Sequence, residues 1–309
     1  MMINKLNYIY LSIILSGFLL SCTTRSQENT NGKPSIVTTT GMLGDAVANI
    51  VGDSANVEAL MGPGVDPHLY KATQGDLTKL TEADIIVYNG LHLEGKMGEV
   101  FGRLAKIKPV IVGGDGVDES KRKKSVQYAD AYDPHIWFDV SIWMEVTKHL
   151  NHELQALHPN NKQYYEDNTT RFIAQLDSLH KAVIISIANI PEGQRTLITA
   201  HDAFEYFGRA YSIEVRGLQG ISTVSEFGLK DITGLVDFIV ERQIKAVFVE
   251  TSVSKKAINA VVEGCKDRGF NVVIGGSLYS DAMGATGTPE GTYIGMVNAN
   301  VSTIVNALK

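Results

Sequence analysis

The chain has 309 residues, with 34 acidic side chains against 28 basic ones for a formal net charge of −6, and contains 2 cysteines. That balance leaves no basic footprint for nucleic acid, and so few thiols exclude a fold stapled by disulfides. With 44% hydrophobic residues and 29 glycines, the composition suits a globular α/β protein held together by its core.

Residues 1–21 place one basic residue, Lys5, before an apolar run over 8–20 that is too short to persist as a spanning helix. This reads as a secretory signal peptide. It ends in Leu19-Leu20-Ser21-Cys22, which resembles a bacterial lipobox with Cys22 as the lipidated first residue of the mature chain. Residues 22–34 are rich in Thr, Ser, Asn and Gln, lack apolar periodicity, and read as a flexible tether. The expected location is the bacterial cell envelope, exported and held to a membrane by lipid. Cys265 then has no thiol partner within the chain.

Two stretches, 35–158 and 191–309, share one grammar. β-branched runs at 36–39, 57–60, 84–88 and 110–112, and again at 196–199, 212–215, 246–249 and 271–274, alternate with stretches of helical spacing. The pattern predicts an α/β fold of two lobes, each with a four-stranded parallel sheet flanked by helices. Between them, residues 159–190 contain no Gly or Pro between Pro159 and Pro191, and Phe172, Leu176, Leu179, Val183 and Ile187 form one apolar stripe. The spacing predicts a single long, stiff helix joining the lobes, with a break near Asn168-Thr169 as the alternative.

The triplet Asp-Pro-His occurs at Asp66-Pro67-His68 and again at Asp133-Pro134-His135. Proline fixes the local backbone, and an aspartate two places upstream is placed to hold the imidazole ring, so the pair suggests a metal site. In open parallel sheets, ligands gather at the carboxyl ends of strands. His68 follows the second predicted strand, His201 closes the strand at 196–199, Asp281 lies in the loop after the last strand, and His135 leads into the helix near Asp139. Two donors from each lobe would clamp an ion between them.

Five motifs in order carry a family resemblance: Gly64-Val65-Asp66-Pro67-His68, Tyr88-Asn89-Gly90-Leu91-His92-Leu93-Glu94, Asp133-Pro134-His135-Ile136-Trp137-Phe138-Asp139, Thr199-Ala200-His201-Asp202-Ala203-Phe204-Glu205-Tyr206-Phe207 and Leu278-Tyr279-Ser280-Asp281-Ala282-Met283-Gly284. Together they resemble the metal-binding solute receptors of zinc, manganese and iron ABC importers, the cluster A-I or TroA-like family. The resemblance implies two α/β lobes on one helical backbone, no enzymatic activity, and His68, His135, His201 and Asp281 as ligands. It also implies a permease with a cytoplasmic ATPase as partner to a monomeric receptor.

His201 stands where some manganese receptors of Gram-positive cocci have glutamate. The segment 113–132 lacks the histidine-rich loop of the zinc-dedicated branch, and that branch's disulfide is absent. The treponemal type, with three histidines and one aspartate, is the most similar. Three imidazoles favour Zn2+, and a carboxylate able to use both oxygens admits Mn2+, with Fe2+ third.

Other polar residues read more plainly. His92 suggests a packing or supporting role, and His149 and His152 a solvated helix face. His158 and His180 have no donor cluster near them. Glu250, Arg216 and Glu226 suggest surface ion pairs, and 121–124 a solvated basic loop. Asp66 and Asp133 are candidates to hold the ring N–H groups, with an Asx turn before proline as the competing account. A hydrolytic zinc site is a rival reading, but the sequence has no His-Glu-x-x-His helix. A surface adhesin with a structural metal is the second rival.

Overall fold

Alternating β-branched runs form strands on both sides of a long central helix. The computed structural model describes residues 32–125, 131–225 and 227–309. The expected signal peptide, Cys22 and nearly all of the tether lie outside the described residues, as does Glu226. In the first half, β1 (Ser35–Thr38), β2 (Asn56–Ala59), β3 (Ile85–Tyr88) and β4 (Val110–Val112) form a parallel sheet in the order β2-β1-β3-β4. Its two faces are both covered, as the period of two requires. Ile36 and Val87 enter one apolar cluster with Met42, Leu43, Ala46 and Val47 of α1 (Gly41–Val51), while Val37 and Ile86 enter another with Leu80 of α2 (Gln74–Glu82) and Phe101 of α3 (Gly98–Leu104). Thr40 caps α1, and Thr73 with Asp76 makes a reciprocal capping box on α2.

The second half alternates β5 (Thr196–His201), α6 (Glu205–Tyr211), β6 (Glu214–Gln219), α7 (Leu229–Arg242), β7 (Ala246–Glu250), α8 (Lys256–Asp267), β8 (Val273–Leu278) and α9 (Tyr293–Leu308), after α4 (Val140–Leu157) and α5 (Lys162–Ala188). All four expected strands are present. They ladder as two parallel pairs, β5 with β6 and β7 with β8, and β5 lies beside β7. Where β5 meets β7, the Glu250 carboxylate takes the His201 N–H at 2.9 Å in place of a strand carbonyl.

Two strands begin later than the pattern predicts. Ser212 closes α6 in the left-handed region at φ 56°, so β6 cannot start there. β8 runs on through Gly275 and Gly276, which sequence reads as a stop. A Cβ on Gly275 would lie 2.6 Å from Ala307 Cβ, and one on Gly276 would collide with Thr303, because α9 crosses close over the strand at this point.

The linking helix α5 is continuous over 27 residues, about 40 Å at 1.5 Å per residue. Phe172, Leu176, Leu179, Val183 and Ile187 are buried as its stripe predicts. No break occurs at Asn168, because its side chain is itself buried and donates to the Ile50 carbonyl at 2.9 Å. Through α5, α4, α1 and α9, one apolar core runs from Ile36 to Leu308, so the halves share an interior as well as a connection.

Candidate metal centre

The four candidate donors come from loops and element ends. His68 lies between β2 and α2, His135 immediately before the short helical turn Ile136–Phe138, His201 at the last position of β5, and Asp281 just beyond β8. All four side chains are buried, and their donor atoms lie within 4.8 Å of one another. His68 Nε2 is 3.3 Å from His135 Nε2, His135 Nε2 is 3.4 Å from Asp281 Oδ1, and His201 Nε2 is 3.3 Å from Asp281 Oδ2. A tetrahedron with metal–donor bonds of about 2.0–2.1 Å has edges of about 3.3–3.4 Å, which these three separations match, while the whole set lies within 4.8 Å. The aspartate turns one oxygen to each of two histidines, which also permits a larger coordination number. His201 Nε2 and Asp281 Oδ1 are buried without a hydrogen-bond partner, a costly arrangement unless a cation receives them.

Carboxylates behind two of the rings set their tautomers. Asp133 Oδ1 is 2.7 Å from His135 Nδ1, and Glu250 Oε2 is 2.5 Å from His201 Nδ1. Nδ1–H donates in each case, leaving Nε2 to face the centre. Burial alone would push both rings down. For His135 the opposing charge of Asp133, joined by Asp281, overturns this and lifts the ring to about 9, and Glu250 with Asp281 lifts His201 well above the usual imidazole range. At His68, burial prevails and the ring falls to about 3. Burial would also raise Asp281, but the facing histidines, His201 foremost, hold it well below the usual carboxylate range.

Asp66 is used differently from its twin. Its Oδ1 accepts from the backbone N–H groups of His68 at 2.8 Å and Leu69 at 3.4 Å, making the Asx turn, and its Oδ2 accepts from the Thr223 hydroxyl at 2.6 Å. Asp133 makes the same backbone contact, its Oδ1 accepting the His135 N–H at 3.0 Å, and in addition holds the ring, whereas Asp66 holds backbone and the Thr223 hydroxyl.

Sequence reading missed other supports. Glu250, taken for a surface ion pair, is 1% exposed and grips His201. Asn89 Nδ2 donates to the Pro134 carbonyl at 3.0 Å from a turn whose N–H groups at Asn89 and Gly90 are collected by buried Glu94. His92 is an exposed residue of that turn. His149 donates from Nε2 to the Val112 carbonyl, while His152 is exposed beside Glu153, and His158 and His180 meet the hydroxyls of Tyr165 and Tyr211. The basic loop is tied down: Lys121 pairs with Glu145 and Lys123 with Glu205. Arg216 pairs with Glu214 at the surface.

Residues 36–307 match the family described as the periplasmic zinc-uptake complex component A. The chain belongs to this family. It is 47% identical over 274 residues to the manganese-binding lipoprotein MntA of Bacillus subtilis, covering 89% of each chain. It is equally 47% identical over 278 residues to the zinc-binding protein TroA of Treponema pallidum, covering 90% of each. The solved structure of that periplasmic zinc-binding protein superposes with a TM-score of 0.87 at 46% identity, covering 90% of this chain and 99% of the other. The metal ABC transporter substrate-binding lipoprotein FimA of Streptococcus parasanguinis is 30% identical over 94% of each chain. The resemblance read from the motifs thus holds across the folded body, with parallel sheets joined by a long helix.

Glu250 offers a direct check on the ring supports. Glu250→Gln keeps the shape but removes the charge opposing His201, and it is expected to weaken zinc binding about 10–100-fold, as loss of an orienting carboxylate does. Competitive titration against a chromogenic chelator measures this.

Proposed function

We infer that this chain is the extracytoplasmic receptor of an ABC importer, capturing a divalent transition metal through His68, His135, His201 and Asp281 and presenting it to a membrane permease driven by a cytoplasmic ATPase. The observation that carries the reading is the convergence of four buried donor atoms, drawn from positions 68 to 281, within 4.8 Å. Four protein donors make a closed shell, which suits capture and release; a hydrolytic zinc site keeps one position open for water.

Zinc is the tighter ligand on this donor set, since zinc stands above manganese and iron in intrinsic affinity for nitrogen and oxygen donors. Manganese is the second cargo, supported by the two-oxygen reach of Asp281 and by the naming of the Bacillus relative. Among the described residues no helix is long and apolar enough to cross a membrane. The lipobox-like Leu19-Leu20-Ser21-Cys22 supports a lipid on Cys22 as the proposed attachment of a monomeric receptor.

Elemental analysis of protein purified from its own envelope, paired with zinc and manganese titration of the metal-free form, tests the assignment. One equivalent of metal is expected, lost when all four donors are replaced by alanine. Undiminished binding by that variant would end the reading, and adhesion retained by it would favour the adhesin.

A further inference from the structure

The four donors are held very unequally, although two precede α5 in the chain and two follow it. The segment carrying His135 is pinned to the second half by buried hydrogen bonds. Tyr206 donates to the Asp133 carbonyl at 3.1 Å, Trp137 Nε1 donates to the Ser280 carbonyl at 3.0 Å, and Tyr293 donates to the Trp137 carbonyl at 2.6 Å. His201 is the end of a strand with Glu250 behind its ring, and Ser280, beside Asp281, shares a 2.8 Å hydroxyl contact with Ser252. His135, His201 and Asp281 therefore form one platform, buried in or pinned to the larger core.

His68 stands apart from it. Its loop packs through Val65 and Tyr70 on the small satellite core of the first half, and Leu69 next to it is 46% exposed. What ties this loop to the opposite half is a short chain of polar contacts. Thr223 donates across the cleft to Asp66 Oδ2 at 2.6 Å, and Asp66 Oδ1 takes the His68 N–H at 2.8 Å. Thr223 is itself preset, because Gln219 at the end of β6 donates to its carbonyl at 2.7 Å.

We propose that the Thr223–Asp66 hydrogen bond is a latch across the cleft mouth, and that Thr223 is a positioning residue acting through Asp66 on His68 that sets the rate at which bound metal escapes. The proposal rests on the metal-receptor reading. It deepens that reading by assigning the exchange rate to a residue that is not a ligand. Opening one loop needs no rotation of the halves, which the shared core and continuous α5 resist. The latch bond is charge-assisted and partly shielded from water, which puts its loss at about tenfold or more in rate.

The test is the dissociation of zinc from loaded full-length protein into excess EDTA, followed by stopped flow. Thr223→Val, which removes the hydroxyl and keeps the β-branched shape, is expected to release zinc about tenfold faster. Thr223→Ser restores the donor and is expected to restore slow release. A Thr223→Val rate within threefold of the unsubstituted protein, or a Thr223→Ser rate as fast as that of Thr223→Val, overturns the latch while leaving the receptor intact. Failure of the unsubstituted protein to bind one equivalent of zinc defeats the receptor reading, and the latch with it.

Discussion

Asp281→Ala is expected to weaken zinc binding about 10²–10³-fold and manganese binding by more, measured by competitive titration of the metal-free protein. A four-donor zinc site contributes about 10–16 kcal/mol in all, so each donor accounts for about 2.5–4 kcal/mol, which is that range of affinity. The carboxylate is also the sole anionic donor of the four, and its two oxygens face different histidines at 3.4 and 3.3 Å. Manganese relies on oxygen donors and a larger coordination number, whereas zinc retains three imidazoles. The ratio of zinc to manganese affinity should therefore rise. Asp281→Asn separates charge from shape: if the charge matters most, it should behave like the alanine variant. Equal losses for both metals would contradict the two-oxygen role.

The unequal mounting of the donors predicts an order within the same series. His201→Ala strips a donor from the fixed platform and leaves the Glu250 carboxylate buried without its imidazole, a cost beyond the lost donor bond. His68 has its backbone, not its ring, held by the neighbouring aspartate, so His68→Ala should be the mildest of the four single substitutions.

Much of this centre was legible in the sequence because its parts are local. Two Asp-Pro-His triplets, strand ends rich in polar residues and a Gly-free, Pro-free apolar stripe each depend on neighbours within a few positions, and His68, His135, His201, Asp281 and α5 stand where those patterns put them. The supports did not show because their partners are distant. Glu250 lies 49 residues from His201, Trp137 lies 143 from Ser280, and Tyr293 lies 156 from Trp137. A carboxylate ending a strand reads the same whether it meets solvent or a buried ring. Asp66 and Asp133 share the Asp-Pro-His triplet and the backbone contact it makes, and what separates them, the His135 ring on one and Thr223, 157 residues further on, on the other, is not written in the triplet. The late start of β6 likewise follows from the left-handed Ser212, and the run of β8 through Gly275 and Gly276 from α9 crossing there, neither of which periodicity encodes.

Metal affinity should climb with pH well past the range of ordinary imidazoles. In the metal-free protein His135 keeps its second proton up to about 9 and His201 likewise to well above 6.5, whereas His68, at about 3, has none to lose at neutral pH. The Nδ1 protons remain on the hydrogen bonds to Asp133 and Glu250, so the protons displaced by the ion are those on Nε2. Binding at pH 7 is then expected to release about two protons per ion, and affinity to fall about 100-fold from pH 7 to pH 6. Calorimetric zinc titrations in buffers of different ionisation enthalpy count the protons directly, and a count near zero at pH 7 would contradict the carboxylate-backed rings. The empty protein responds with the opposite sign. A histidine whose folded pKa is raised contributes stability that is complete below its unfolded value of about 6.5 and is lost as pH rises through its folded value. Asp281, with a depressed pKa, contributes above about 4 and loses that contribution only in stronger acid. His68 works the other way: its ring, lowered to about 3, stays neutral in the fold and costs stability as pH falls below about 6.5. Between about pH 4 and 6.5, then, protons compete hardest with metal while His68 opposes the contributions of His135, His201 and Asp281, and the thermal midpoint of the metal-free protein across that window reads the balance.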